Sequence, residues 1–409
     1  MPTLLQINVV NNWGSTGRIA EEIGQVAITN DWNSYIAFGR KERESQSNKI
    51  KIGNQWDFFW HLLLTRLFDR HGLASKRATR KLITKIEQIK PDIIHLHNIH
   101  GYYLNYEILF EYLLKAKIPV VWTLHDCWPF TGHCAHFASI GCNKWQTGCG
   151  HCPQKDTYPK SIFIDRSKKN FEDKQKYFTD CKSLITLVPV SDWLADLVFH
   201  SFLKKIAIKR IYNGINIDFF SPISKDKKKE ILLKYNIKNK FVILGITSVW
   251  SIKKGLNDFV QLSKLLPNDS VILLVGLTKK QIDTLPKSII GIGKTENINE
   301  LAAIYSTADV FVNPTWEDNF PTTNLEALAC GTPVITYRTG GSVEAISDDT
   351  GFIVEQGDIE GLVKAIEIIK TNGKDKYSDN CRKRAIANFN KEDRYKEYLD
   401  LYKELLNKK

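Results

Sequence analysis

Asn313 to Gly341 reads N-P-T-W-E-D-N-F-P-T-T-N-L-E-A-L-A-C-G-T-P-V-I-T-Y-R-T-G-G. Just before it, Val310 to Val312 is a short apolar run, which Pro314 ends. Pro321 and two threonines open a helix predicted over 323–330. Gly331 suits the left-handed position just past a helix, and Pro333 stops any continuation. Val334 to Thr336 is β-branched and reads as a buried parallel strand. Strand, loop, helix and strand in this order make one unit of an α/β sheet.

The chemistry concentrates where the loop meets the helix. The first amides of a helix have no partner inside it, and its dipole favours negative charge there. A diphosphate suits such an end. Two carboxylates, Asp318 and Glu326, flank the join. An acid beside a phosphate site suits sugar or ribose hydroxyls, which donate hydrogen bonds. A second reading stands beside this one: Thr323-Asn324-Leu325-Glu326 has the spacing of a capping box, in which Glu326 only closes the helix start.

The whole stretch resembles the E-x7-E donor-binding region of the retaining glycosyltransferases of family 4. That family has the GT-B fold, two Rossmann-like doubly wound domains facing a cleft. The likeness covers the loop, the helix, the Gly-Thr-Pro-Val turn and the Gly-Gly pair. It implies that Glu326 holds the ribose of a nucleotide sugar and that Asp318 faces the sugar. It also implies that Asn319, Phe320, Pro321, Thr322 and Thr323 meet the donor. The first acid here is Asp318 rather than Glu, and Glu317, one place earlier, competes for its role.

The 409 residues are 43% hydrophobic and 25% charged, which suits roughly two to three soluble domains with full cores. A net charge of +12 fits phosphorylated substrates, an anionic membrane surface or nucleic acid. The positive charge is diffuse, which argues against nucleic acid. No apolar run reaches the ~18 residues of a membrane span. Met1 to Gln6 lacks a basic leader and reads as a first strand. The expected location is the cytoplasm, at the inner face of the membrane where the acceptor is lipid-linked.

The resemblance runs along most of the chain and divides it. It implies an N-terminal acceptor-binding domain over 1–215, a nucleotide-sugar domain over 216–390, and a helix over 391–409 crossing back to the first domain. Leu4 to Val10 is a first strand, followed by a glycine loop with Gly14 and Gly17 and an amphipathic helix from Ile19 to Ile28. Glycines let backbone come close to a ligand, and in the family this loop lies across the cleft from the donor phosphates. Arg18 is therefore a candidate phosphate contact, or equally a solvated first-turn arginine. Two further strands end in histidines, Pro91 to His100 and Pro119 to Leu124 with His125-Asp126 after it. Doubly wound sheets bind ligands beyond such carboxyl ends. The family implies His125 near the reacting sugar, with Asn98, His100 and Asp126 bordering the acceptor.

Two segments stand out in this half. Asn54 to Arg70 holds Q-W-D-F-F-W-H-L-L-L-T-R-L-F-D-R, with Lys76, Arg77, Arg80 and Lys81 after it. It is either a helix packed on the domain core or one that dips into an anionic membrane interface. An insert over 127–153 carries five of the eight cysteines. Four of these, Cys134, Cys142, Cys149 and Cys152, form C-x7-C-x6-C-x2-C, which in a cytosolic protein favours a structural zinc over disulfides. His133, His136 and His151 are spare candidates, and free buried thiols are the alternative.

In the second half Phe241 to Ile246 is a strand leading into Thr247 to Gly255. Lys254-Gly255 matches the family lysine that grips the donor diphosphate. The family's arginine six places earlier is Ser248 here, so Lys253 or Arg18 would have to compensate. Gly293 ends a strand on the side expected to face the base.

The sequence therefore points to a retaining, metal-independent hexosyltransferase. It would use a UDP- or GDP-sugar and a hydroxyl of a lipid-linked bacterial polysaccharide intermediate, with His125, Lys254, Asp318 and Glu326 as the catalytic set. The alternative of another class is a non-catalytic GT-B scaffold that binds nucleotide sugars. Ser248 favours it, and the intact His125, Lys254 and Glu326 oppose it. A pyridoxal-phosphate phosphorylase lacks a convincing cofactor lysine.

Overall fold

In the computed structural model, which describes residues 1–408, the chain forms two units, 1–212 with the last helix from Glu392, and 213–391. The first is built on seven strands: β1 (Thr3–Asn8), β2 (Asn33–Phe38), β3 (Asn48–Lys51), β4 (Ile93–Leu96), β5 (Val120–Leu124), β6 (Ile185–Pro189) and β7 (Ala207–Ile208). They lie in the order β3-β2-β1-β4-β5-β6-β7, and every pairing is parallel. The second has β8 (Phe241–Ile246), β9 (Ser270–Val275), β10 (Ile289–Ile292), β11 (Val310–Asn313), β12 (Val334–Tyr337) and β13 (Gly351–Val354), in the order β10-β9-β8-β11-β12-β13. Each sheet reverses its winding once, between β1 and β4 and between β8 and β11. The crevice at such a reversal, beyond the carboxyl ends of the strands, is where these sheets bind ligands.

The apolar runs explain the buried strands. Leu4, Leu5 and Ile7 of β1 and Ile243 and Leu244 of β8 have no exposed surface, as expected for strands covered on both faces. β1 stops at Asn8, two residues short of the predicted end. The Asn8 amide takes over the backbone there: its Oδ1 accepts the Val9 N–H at 2.9 Å and its Nδ2 donates to the Val10 carbonyl at 3.0 Å. The helix that follows, Gly14–Thr29, starts earlier than predicted and takes the glycine loop into its first turn. A Cβ on Gly17 would stand 3.0 Å from Val10 and 3.2 Å from the Asn12 nitrogen, so a larger residue there would push the loop back slightly.

The last helix, Lys391–Asn407, belongs to the first unit beyond Lys391. Tyr395, Tyr398, Leu399 and Tyr402 share a buried cluster with Leu4, Ile19, Ile93 and Val121. The Tyr402 hydroxyl lies 2.6 Å from His95 Nδ1, and His95 Nε2 lies 2.8 Å from Thr123 Oγ1. His95 thus ties this helix to β4 and β5.

Candidate functional site

In the second unit the winding reversal brings together the loops after β8 and β11. Gly255 permits the contact. Its φ is +76°, and a Cβ there would meet the Pro314 carbonyl oxygen at 2.3 Å. The Trp316 N–H donates to the Lys253 carbonyl at 2.9 Å and closes the two loops on each other. Lys254 then reaches across: its Nζ donates to Asp318 Oδ2 at 2.7 Å and to the Glu317 carbonyl at 3.0 Å. Lys253 bonds the neighbouring acid, Glu317 Oε2, at 2.7 Å. The two candidate first acids are thereby distinguished. Glu317 is buried and held by Lys253, whereas Asp318 is the more exposed and shares Lys254. Ser248 lies in the same loop after β8, with no cationic side chain to offer.

The helix beyond the loop is Thr322–Ala329, with Pro321 as its N-cap and no side-chain cap. The capping-box reading fails here. With the helix beginning at Thr322, Thr323 is already inside the first turn. Glu326 instead is buried and accepts a hydrogen bond from the Tyr305 hydroxyl at 3.0 Å. An uncapped helix start, an ammonium and two acids therefore surround the carboxyl end of β11. Gly341 N–H donates to the Asn319 carbonyl at 3.0 Å, so the Gly-Gly pair after β12 pins the loop from the far side. Gly293 follows directly on β10, at the same carboxyl edge of the sheet.

In the first unit the histidines at the ends of β4 and β5 sort into roles. Gln6 Nε2 donates to the Ala20 carbonyl at 2.7 Å, which turns Gln6 Oε1 toward His97 Nε2 at 3.0 Å. His97 then carries its proton on Nε2 and accepts at Nδ1 from His125 Nε2, 3.1 Å away. Burial keeps His97 far below the ordinary histidine range and brings His125 down to about 4, Asp126 opposing and His100 adding to the effect. Both are neutral at pH 7. His100 bonds Asp126 at 2.8 Å and the Tyr158 hydroxyl at 2.9 Å. Burial would raise the Asp126 carboxyl, but the charge and hydrogen bond of His100 hold it at about 2. Asn98, at the β4 end, accepts the Tyr103 hydroxyl on its carbonyl at 2.8 Å. Gly14 opens, and Arg18 sits half-buried in, the first turn of the helix after β1. Of these groups, the Gln6–His97–His125 chain could not be read from sequence. Gln6 lies inside a strand, and nothing local marks its side chain as anything but core.

Residues 60–219 match the model of glycosyltransferase family 4, and residues 224–388 that of the glycosyl transferases of group 1. The two together span most of both units. The chain belongs to the family 4 glycosyltransferases, with the GT-B fold. This glycosyltransferase is 25% identical over 386 residues to the colanic acid biosynthesis glycosyl transferase WcaC of Escherichia coli, covering 88% of this chain and 89% of that one. It is 28% identical over 234 residues to an Escherichia coli enzyme named as a UDP-Gal:alpha-D-GlcNAc-diphosphoundecaprenol alpha-1,3-galactosyltransferase, covering 50% of this chain and 59% of that one. Among solved structures, a sucrose-phosphate synthase from Thermosynechococcus elongatus superposes with a TM-score of 0.71 at 17% identity over all of both chains. HepE of Anabaena, in complex with UDP, superposes at 0.69 and 14% identity over 99% of this chain and 100% of that one.

The glycosyltransferase has two features outside these sites. The helix Gln55–Phe68 buries His61 and Thr65, keeps Phe58 and Leu62 to Leu64 half-buried, and turns other large side chains outward, with Trp56 72%, Phe59 50% and Trp60 56% exposed. The helix packs on the domain through a mixed face whose most buried residues, His61 and Thr65, are polar. His61 Nε2 accepts the Gly72 N–H at 3.0 Å and Nδ1 lies 2.8 Å from the Ser75 hydroxyl. A second exposed apolar run, Ile162 to Ile164, is tied to the same helix by the Ile162 N–H donating to the Arg66 carbonyl at 2.7 Å. No helix among the described residues is long and apolar enough to cross a membrane.

The cysteine insert has only three short 3-10 turns of regular structure. Cys134, Cys142, Cys149 and Cys152 all line one small pocket in it. They are free thiols, and among the described residues no group of three or more metal-type side chains is arranged to hold an ion as it stands. A zinc tetrad already formed, as the spacing suggested, is thus not what the structure holds.

Proposed function

We propose that this glycosyltransferase transfers a hexosyl unit from a nucleotide-diphosphate sugar to a hydroxyl of a lipid-linked polysaccharide intermediate, with retention and without a catalytic metal. The observation that carries the proposal is Lys254 Nζ, 2.7 Å from Asp318, beside the uncapped start of the helix Thr322–Ala329. On this reading Lys254 and the helix amides, including the backbone from Asn319 to Thr323, take up the charge that grows on the departing diphosphate. In a water-poor site such preorganised donors are worth roughly 2.7–4 kcal/mol each. Glu326, a buried carboxylate that accepts from Tyr305, serves the ribose hydroxyls on this reading. Asp318 serves the hydroxyls of the sugar, and Gly293 borders the base. On the acceptor side, neutral His125, held by His97, borders the acceptor hydroxyl without adding positive charge. Asn98, His100 and Asp126 line the same strand ends. Attack from the leaving-group face, with a phosphate oxygen taking the acceptor proton, needs no carboxylate nucleophile.

The relatives support this choice of substrates. One is named for colanic acid biosynthesis, and another for a UDP-Gal donor and a diphosphoundecaprenol-linked acceptor. Structures of HepE hold UDP and UDP-glucose. The exposed Trp56, Phe59 and Trp60, followed by exposed Lys76, Arg77, Arg80 and Lys81, fit a membrane surface bearing such an acceptor. The discriminating experiment is a thermal-shift panel with UDP, GDP and ADP on the wild type and Glu326→Gln. One nucleotide should raise the melting temperature of the wild type, and less so of the variant. A folded wild type that responds to none of the three would sink the donor assignment.

A further inference from the structure

We propose that the insert is a structural zinc site in which Cys134, Cys142, Cys149 and Cys152 hold one ion, with His133 and Lys174 forming its charged surround. The four thiols face one pocket, whose free volume is about 20 Å³. That admits a single small sphere and no organic ligand. Cys149 Sγ already accepts the Gly132 N–H at 3.2 Å, the kind of amide bond that supports a thiolate.

Two buried groups around this pocket have polar capacity that the ion's thiolates would meet directly. His133 lines it, and His133 Nδ1 is fixed by Asp69 at 2.6 Å, yet Nε2 is buried with no partner. Asp69 is itself immobilised, its other oxygen accepting the Arg166 N–H at 2.8 Å. Lys174 is fully buried, and its Nζ bonds only carbonyls, of Trp128 at 2.7 Å and Thr131 at 2.9 Å, while lying 3.5 Å from the Trp128 ring centroid. Asp126 and Asp69 are near enough to act on this buried ammonium, but neither bonds it, and a buried ammonium with no bonded anion is costly. Four thiolates on a divalent ion carry two net negative charges, which answer Lys174 directly and give His133 Nε2–H a sulfur to donate to.

Loading follows ordinary thiol chemistry. Each S–H loses its proton to solvent as its sulfur bonds the ion, so four protons leave for one ion bound, and no oxidant is involved. The side chains must close in from the pocket wall, since no group is yet arranged around a common point. Trp128 anchors one end of the segment on Tyr106 and Phe178, while Phe130, Phe137 and Trp145 form its own cluster beside the thiols, with ring centroids 5.0–6.3 Å apart, which a metal would tie down.

The test is metal analysis of the full chain purified under reducing conditions, with mercurial titration of thiols followed by a zinc indicator. About one zinc per chain, released in step with four thiols, is expected. Replacement by cobalt should give thiolate-to-cobalt charge-transfer absorption. Single Cys→Ser changes at each of the four positions should lower zinc occupancy severalfold while circular dichroism keeps the two-unit fold. His133→Gln should keep the metal but release it faster to a chelator. Metal below about a tenth of an ion per chain, after growth with zinc, overturns the site. A mass two hydrogens light, marking a disulfide within the set, overturns it too. Full loss of metal in His133→Gln with retention in Cys142→Ser overturns this ligand set. None of these outcomes depends on transferase activity.

Discussion

Replacing Lys254 by alanine separates charge stabilisation from packing. Its Nζ bonds Asp318 at 2.7 Å and the Glu317 carbonyl at 3.0 Å, with Thr315 Oγ1 at 3.4 Å. The pair is partly open, with 32% of the lysine and 24% of the aspartate side chain exposed. Pairs this exposed contribute about 0–1 kcal/mol. For a unit of this size that lowers the melting temperature by about 4 °C at most. The catalytic effect should be far larger. If the ammonium takes up charge on the leaving diphosphate, its loss costs about 2.7–4 kcal/mol in the transition state, or about 100- to 1000-fold in kcat. Donor affinity should change less, because the charge grows as the bond breaks. The assay is release of UDP from a panel of UDP-sugars, at saturating donor, with melting temperatures measured alongside. Lys253→Ala is the control, since that ammonium bonds Glu317, and its rate effect should be smaller. A folded Lys254→Ala turning over within about threefold of wild type would refute the reasoning.

Gly255→Ala should displace the same lysine without touching its charge. A left-handed alanine costs about 1–2 kcal/mol, and the 2.3 Å approach to the Pro314 carbonyl adds to it; a melting temperature unchanged to within 1 °C would contradict the close contact. Stability should fall as pH drops below 6.5. Burial holds His61 at about 3 in the fold, so the unfolded chain binds its proton first. The favourable contribution is full above 6.5 and declines as pH falls toward 3, by about 2 kcal/mol at pH 5 for this residue. His61→Asn should flatten that part of the urea-unfolding profile, and an unflattened profile would assign the dependence elsewhere. Trp56→Ser with Trp60→Ser should reduce co-sedimentation with anionic vesicles at low salt, while UDP-dependent melting stays as in wild type. Equal sedimentation of both proteins would remove the helix Gln55–Phe68 from membrane contact.

Local order was largely written in the sequence. Proline, glycine and β-branched residues between Val310 and Gly341 act through their own backbone preferences, so β11, the helix Thr322–Ala329 and β12 were legible, to within a residue or two at their ends. Lys254 before Gly255, and Asp318 and Glu326 across the helix start, were legible for the same reason, since their spacing is a local property. What the tertiary structure decided were pairings between distant segments. On spacing alone Glu326 read first as a cap, and only the helix start at Thr322 and the bond to Tyr305, 21 positions away, removed that reading. The chain could not announce that Lys253 would take Glu317 and leave Asp318 to Lys254, because two acids and two lysines can pair in more than one way. The helix Gln55–Phe68 looked like core by composition. Its direction was set by His61, whose two ring nitrogens found partners in Gly72 and Ser75 and so paid for the burial of a polar ring. Hydrophobicity is a property of residues, whereas which face turns inward depends on where the polar atoms are satisfied, and that is known only once the chain has folded.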